Sequence, residues 1–164
     1  MRRSKLILIA AGLTAALAVG VALGRPAVAT AATPAAVAAA VAPIPLTVYH
    51  SPSCGCCKEW VKHMEANGFA VKSIEQPDLS GVKAEMGVPG RLRSCHTAIA
   101  GGYVIEGHVP AADVKRLLSE KPKVVGLTIP GMPQSAPGMD QGKEPYEVLA
   151  WDATGKTTSW ARHN

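Results

Sequence analysis

Past its first 29 residues the chain lacks an excess of charge of either sign. The formal charge of +5 comes from 17 basic and 12 acidic residues. Arg2, Arg3, Lys5 and Arg25 all precede Thr30, and no acidic residue does, so 13 basic residues face 12 acidic ones from there on, a net charge of +1. A nearly neutral domain offers no electrostatic footprint for nucleic acid, and that class of partner is set aside. Cysteine is also scarce. Four residues allow two structural bridges in three pairings. That reading fits poorly, because Cys56 and Cys57 are adjacent and a bridge between them would be strained. Three of the four, Cys54, Cys56 and Cys57, lie within four residues. Such clustering suits a reactive or metal-binding site better than a staple.

The N-terminus reads as a leader. Met1-Arg2-Arg3-Ser4-Lys5 is basic, Leu6–Gly24 carries no charge, and Ala27-Val28-Ala29 is a small-residue cleavage site. Together these predict a secretory signal peptide over residues 1–29. Left uncleaved, the apolar run would act as a membrane anchor; the rest of the chain gives no reason to expect a membrane. Export places the protein in the periplasm or outside the cell, where disulfides persist. Residues 30–45, almost all Ala, Val and Pro, predict a linker. The domain proper is then 46–164, with a core over 46–122 and an extension over 123–164.

Within the core, Leu46–Tyr49 predicts a short strand. Cys57, Trp60, Val61 and Met64 then fall at helical spacing, and Asn67-Gly68 caps that helix. Met64 and Trp60 are expected in the core and His63 on the solvated face. Phe69–Glu75 returns as a strand, and Leu79, Val82 and Met86 mark a short helix ending at Gly87. Thr97–Ala100 and Tyr103–Glu106 flank Gly101-Gly102, a hairpin signal because both turn positions take positive φ. Pro110 opens a helix whose Val114, Leu117 and Leu118 face inward. The order strand, helix, strand, helix, hairpin, helix, led by strand–Cys-x-x-Cys–helix, predicts an α/β, thioredoxin-like mixed sheet flanked by helices. Right-handed crossover makes the first two strands parallel and the hairpin antiparallel. In the extension, Val124–Ile129 should pack on the core, residues 130–142 form a Pro/Gly loop, and Tyr146–Trp151 with Lys156–Trp160 make a closing β-hairpin.

The chemistry concentrates where the first strand hands over to the first helix. Backbone N–H groups without partners and the aligned dipole favour negative charge there, so a thiol ionises more readily. In a thioredoxin-like fold the loop entering the third strand faces this turn and usually presents a proline. Here no proline immediately precedes Thr97; Cys95 and His96 stand in its place. Up to four sulfurs and one imidazole would converge: Cys54, Cys56, Cys57, Cys95 and His96. Soft thiolates select Cu(I), with Zn(II) second. Used alone, Cys54 and Cys57 would instead make a redox dithiol, the attacking and resolving cysteines of a thiol–disulfide oxidoreductase. His50, His108, Met132 and Met139 are secondary metal-ligand candidates, the methionines through thioether sulfur.

Four separated motifs arrive in order: Ser51-Pro52-Ser53-Cys54-Gly55-Cys56-Cys57, Ser94-Cys95-His96-Thr97-Ala98, Glu106-Gly107-His108-Val109-Pro110-Ala111 and Pro130-Gly131-Met132-Pro133. In these the chain resembles the bacterial periplasmic CopG-like copper-resistance family, which is unrelated to the plasmid repressor of that name. The resemblance spans roughly Leu46 to Asp140; the C-terminal hairpin and the 30–45 segment lie outside it. It implies a thioredoxin-like fold, copper at the Cys-x-Cys-Cys site and a role in exported copper handling. By position it implies Cys54, Cys56, Cys57 and Cys95 as copper ligands, with His96 beside them. Another periplasmic copper protein or an efflux component would be the partner.

Overall fold

A computed structural model describes residues 42–164; the expected signal peptide and nearly all of the expected linker lie outside the described residues. One seven-stranded mixed sheet runs through the domain in the order β2-β1-β3-β4-β5-β6-β7. β1 (Ile44–His50) pairs parallel with β2 (Phe69–Glu75) and antiparallel with β3 (Thr97–Ala100). β3 turns through Gly101-Gly102 into antiparallel β4 (Tyr103–Glu106). The relations expected among the first four strands are the ones found. β1 starts two residues before Leu46 and takes up the end of the expected linker. Ile44 is in register with Phe69, and its N–H donates to Gly68 O at 3.0 Å. That pairing overrides the flexible composition.

β1 alternates as a half-buried strand should, with Leu46, Val48 and His50 buried and their neighbours less so. α1 (Gly55–Ala66) follows at once and buries Cys57, Trp60 and Met64, one stripe at helical spacing, against the sheet. Trp60 is fully enclosed and its indole N–H donates to Val109 O at 2.9 Å, which ties α1 to the segment after β4. α2 (Ser80–Glu85) is a short turn of helix, and α3 (Ala111–Glu120) inserts Val114 and Leu117 into the same core. His63 departs from its expected place on the solvated face. Its Nε2 accepts the Ala111 N–H at 3.1 Å, so this imidazole joins α1 to the start of α3, and burial holds its pKa below the usual value.

The extension continues the sheet. β5 (Gly126–Thr128) lies parallel to β4, and β6 (Tyr146–Trp151) and β7 (Thr157–His163) add antiparallel strands at that edge. β7 is held back onto α3: His163 contacts Asp113 at 2.7 Å, and the Arg116 guanidinium stacks 3.9 Å over the Trp160 ring. The expected closing hairpin is therefore present, but as two more strands of the main sheet. Among the described residues no helix is long and apolar enough to cross a membrane.

Candidate metal centre

Cys54 is the N-cap of α1, and Cys56 and Cys57 sit in its first turn, where no acidic residue opposes a thiolate. Across from them, Cys95 stands between the 3-10 turn Gly90–Leu92 and β3. The four Sγ atoms all lie within 4.8 Å of one another, and Cys54 Sγ is 3.5 Å from Cys56 Sγ. Cys54 and Cys57 are joined as a disulfide, while Cys56 and Cys95 are free. Of the two structural bridges that four cysteines allow, only one is formed. Four thiols become available together only after Cys54–Cys57 is reduced by two electrons and two protons, and each gives up its proton when it binds a metal.

His96 and His108 complete the surroundings of Cys95. Its Sγ is 3.3 Å from His96 Nδ1 and 3.0 Å from His108 Nε2. Both rings are fully buried, and His96 lies against the Trp60 ring at 4.4 Å. Burial, followed by the neighbouring Cys56, pushes the Cys95 thiol up to about 12, so without a metal it is a protonated thiol at neutral pH. Burial first, then the like charge that His108, Lys83 and His50 would bring, holds His96 well below its ordinary 6.5. His108 is lowered too, by burial, against the pull of Pro137 O.

The positions of Cys95 and His96 rest on a buried carboxylate. Glu106, at the end of β4 and wholly enclosed, accepts the Ser94 N–H at 2.6 Å, the Thr97 hydroxyl at 2.6 Å and the Lys83 ammonium at 2.6 Å. Lys83 also donates to Thr97 Oγ1 at 2.9 Å. The residues on either side of Cys95-His96 are thereby bound to one anchor. Gly107 then brings its backbone against this loop with φ +74; a Cβ there would lie 2.5 Å from Ser94 Oγ.

The loop over residues 130–142 closes the far side. Pro137 O meets His108 Nδ1 at 2.8 Å, and Ser94 Oγ donates to Gly131 O at 2.5 Å. Gly138, at φ +84, runs so close to α1 that a Cβ would sit 2.6 Å from Trp60 N and 2.9 Å from Cys56 O. Met132 on this loop is exposed and Met139 half-buried. His50 stands outside the groups of converging cysteine and histidine donors among the described residues; its Nδ1 donates to Ser51 O at 2.9 Å and its Nε2 accepts from Ser73 Oγ at 2.5 Å. His108 is the residue that sequence reasoning undervalued. Its position in Glu106-Gly107-His108, directly after the strand paired with Thr97–Ala100, was the available signal.

The buried imidazoles set a pH dependence. Folded His96 stays neutral where the unfolded chain takes up a proton, below about 6.5. Stability is therefore fully present above about pH 6.5 and falls as the pH drops, by up to about 1.4 kcal/mol per pH unit from this residue, levelling off near its folded value. Unfolding near pH 5.5 is expected to take up at least about one proton, measured by calorimetry in buffers of different ionisation enthalpy. No proton uptake would contradict a neutral buried His96.

Comparison with known proteins fits this arrangement. Residues 92–139, the span from the 3-10 turn through the closing loop, match a family described as "Protein of unknown function, DUF411". No curated protein matches the chain. Two solved structures, titled "Copper resistance protein copG- Form 1" and "Form 2", are each 42% identical to it with a TM-score of 0.70. Both cover 74% of this chain, and the matches extend over 98% and 99% of those chains. With that identity sustained over nearly their whole length, and a cysteine cluster at the head of α1, the chain belongs to the CopG copper-resistance protein family.

Proposed function

We propose that this is an exported copper-binding protein that sequesters or transfers Cu(I) through Cys54, Cys56, Cys57 and Cys95, and so contributes to copper resistance. The observation that carries this reading is the convergence of four sulfurs within 4.8 Å of one another. Polarizable thiolate is a preferred donor for Cu(I), and after binding one ion it keeps lone pairs with which to bridge a second. Four sulfurs this close therefore suit a bridged cluster with more than one copper. The basic, apolar leader supports delivery across the inner membrane. The partner would be another periplasmic copper protein or an efflux component that takes the ion by thiolate exchange.

The test is anaerobic Cu(I) titration of the fully reduced protein against a competing chelator. More than one equivalent per chain is expected, with binding reduced to background in Cys54→Ser/Cys57→Ser. Equal binding by that variant and the parent would remove the reading.

A second reading has its own observation, the Cys54–Cys57 disulfide at a helix N-terminus. That is the placement of a thiol–disulfide oxidoreductase, with Cys54 as the attacking thiolate. Insulin reduction that survives loss of both Cys56 and Cys95 would favour it over copper binding.

A further inference from the structure

His50, buried at the end of β1, stands apart from the converging cysteines and histidines, and its own hydrogen bonds run in one direction. β1 and β2 are parallel, with Val48 opposite Ser73 and His50 opposite Glu75, so His50, Ser73 and Glu75 share one face of the sheet. Lys58 and Lys62 of α1 come down beside them, and these side chains line a pocket of about 340 Å3. We propose that Ser73 is a histidine-activated nucleophile in this pocket, which takes the acyl group of a short-chain ester and releases it to water.

The donor and acceptor roles carry the case. Ser51 O can only accept, so His50 Nδ1 holds the proton of that 2.9 Å bond. Nε2 is then a bare lone pair, and the Ser73 hydroxyl 2.5 Å away is its donor. The bonds thus run from Ser73 Oγ to His50 to a fixed acceptor. A nucleophile, its base and the group that orients the base are arranged in that order. Burial divides the roles between the two side chains. The imidazole is 2% exposed and bonded through both nitrogens. Ser73 is exposed, on the outermost strand at that side of the sheet. The base is held still, and the nucleophile is open to solvent.

Acyl transfer here needs no oxidant or reductant. Ser73 Oγ bonds to the ester carbonyl carbon as its proton passes to His50 Nε2. The carbonyl oxygen becomes an oxyanion, and Lys58 and Lys62 are the cations lining the pocket that can meet it. Their present partners, Glu75 at 3.4 Å and Glu59 at 2.7 Å, form exposed ion pairs, which hold weakly and free either ammonium to turn inward. When the ester C–O bond breaks, His50 returns the proton to the departing alkoxide, which leaves as the alcohol. Water then repeats the exchange at the acyl carbon, giving its proton to His50, and Ser73 leaves as the free hydroxyl while the carboxylic acid departs. The pocket is at the small end of ligand sites, which span about 300–1,000 Å3, and that favours a short acyl chain. Ser51 O supports the transient imidazolium with a neutral carbonyl instead of a carboxylate, so turnover is expected to be slow.

A fluorophosphonate, which phosphonylates an activated serine and expels fluoride, tests the proposal on the full chain. One equivalent is expected on Ser73, located by peptide mass spectrometry, and p-nitrophenyl acetate should slow the labelling by competing for the same oxygen. Ser73→Ala, a small change at an exposed position, should remove the label. General-base assistance typically contributes about 10²–10⁴-fold, so His50→Gln should slow labelling at least about a hundredfold, with the urea midpoint of that variant reporting its fold. The unaltered chain unfolded in urea separates the two side chains without any substitution and should lose the labelling as well. No label, a label on another residue, or a Ser73 labelling rate unchanged by His50→Gln or by urea would each overturn the proposal. Neither substitution touches a cysteine, so a chain that binds Cu(I) but leaves Ser73 unlabelled would refute this inference alone.

Discussion

Replacing Cys95 with serine is expected to collapse Cu(I) binding while leaving the fold intact. Of the four cysteine sulfurs, that of Cys95 is the one donated from outside the α1 turn, so it turns three neighbouring thiols into a closed set. A serine oxygen is a hard donor that Cu(I) does not favour. Removing an outer-shell partner of a ligand typically costs about 10–100-fold in metal affinity; losing the ligand itself should cost more. The cysteine is partly exposed, and serine nearly matches its shape, so urea unfolding of the metal-free protein should shift little. His50→Gln provides the contrast. His50 is also buried nearby, but both of its nitrogens are occupied by Ser51 and Ser73, and copper affinity should be unchanged. Parent-like affinity in Cys95→Ser would mean that the helix turn binds copper by itself.

Breaking the Lys83–Glu106 pair is expected to produce the largest loss of stability. Lys83→Met leaves the Glu106 carboxylate enclosed without its counter-charge, and stranding one partner of a buried pair costs about 3–5 kcal/mol. Replacing both residues, as in Lys83→Met/Glu106→Leu, removes the stranded charge and should recover much of that loss. Recovery should stop short, because Ser94 N–H and the Thr97 hydroxyl lose their acceptor, at about 1–3 kcal/mol for each donor left buried and unmet. Those two donors flank Cys95-His96, so the double variant should also bind copper more weakly than its stability alone would suggest. Urea midpoints and chelator competition on the same samples separate the two effects. Full recovery of stability together with unaltered copper affinity would show that the pair does not position the loop.

The sequence made much of this molecule readable because its signals were local. A Cys-x-Cys-Cys turn between a strand and an amphipathic helix, and a Gly-Gly hairpin, each specify backbone within a few residues. The first four strands and three helices followed from them. The strand pairing of Ile44 was hidden by a composition of Ala, Val and Pro, since its register depends on Phe69 across the sheet. The closing hairpin of the extension is legible in the sequence, but its joining of the main sheet through β5 is not, because edge-to-edge addition of β5, β6 and β7 depends on contacts absent from any short window. Lys83 and Glu106 were invisible for a similar reason. Each resembles an ordinary polar residue of its own element, and only folding encloses them together, 23 positions apart. The disulfide state of Cys54 and Cys57 was open as well, because the same spacing serves a bridge or two thiolates. His63 misled by its position among charged neighbours, while its ring reaches the start of α3.

Copper K-edge absorption of the reduced, Cu(I)-loaded protein tests the central claim most directly. The account predicts Cu(I) with a first shell dominated by sulfur, and replacement of Cys95 by serine should lower the sulfur count and release metal. A first shell of nitrogen and oxygen, or a sulfur count unchanged by that replacement, would contradict it.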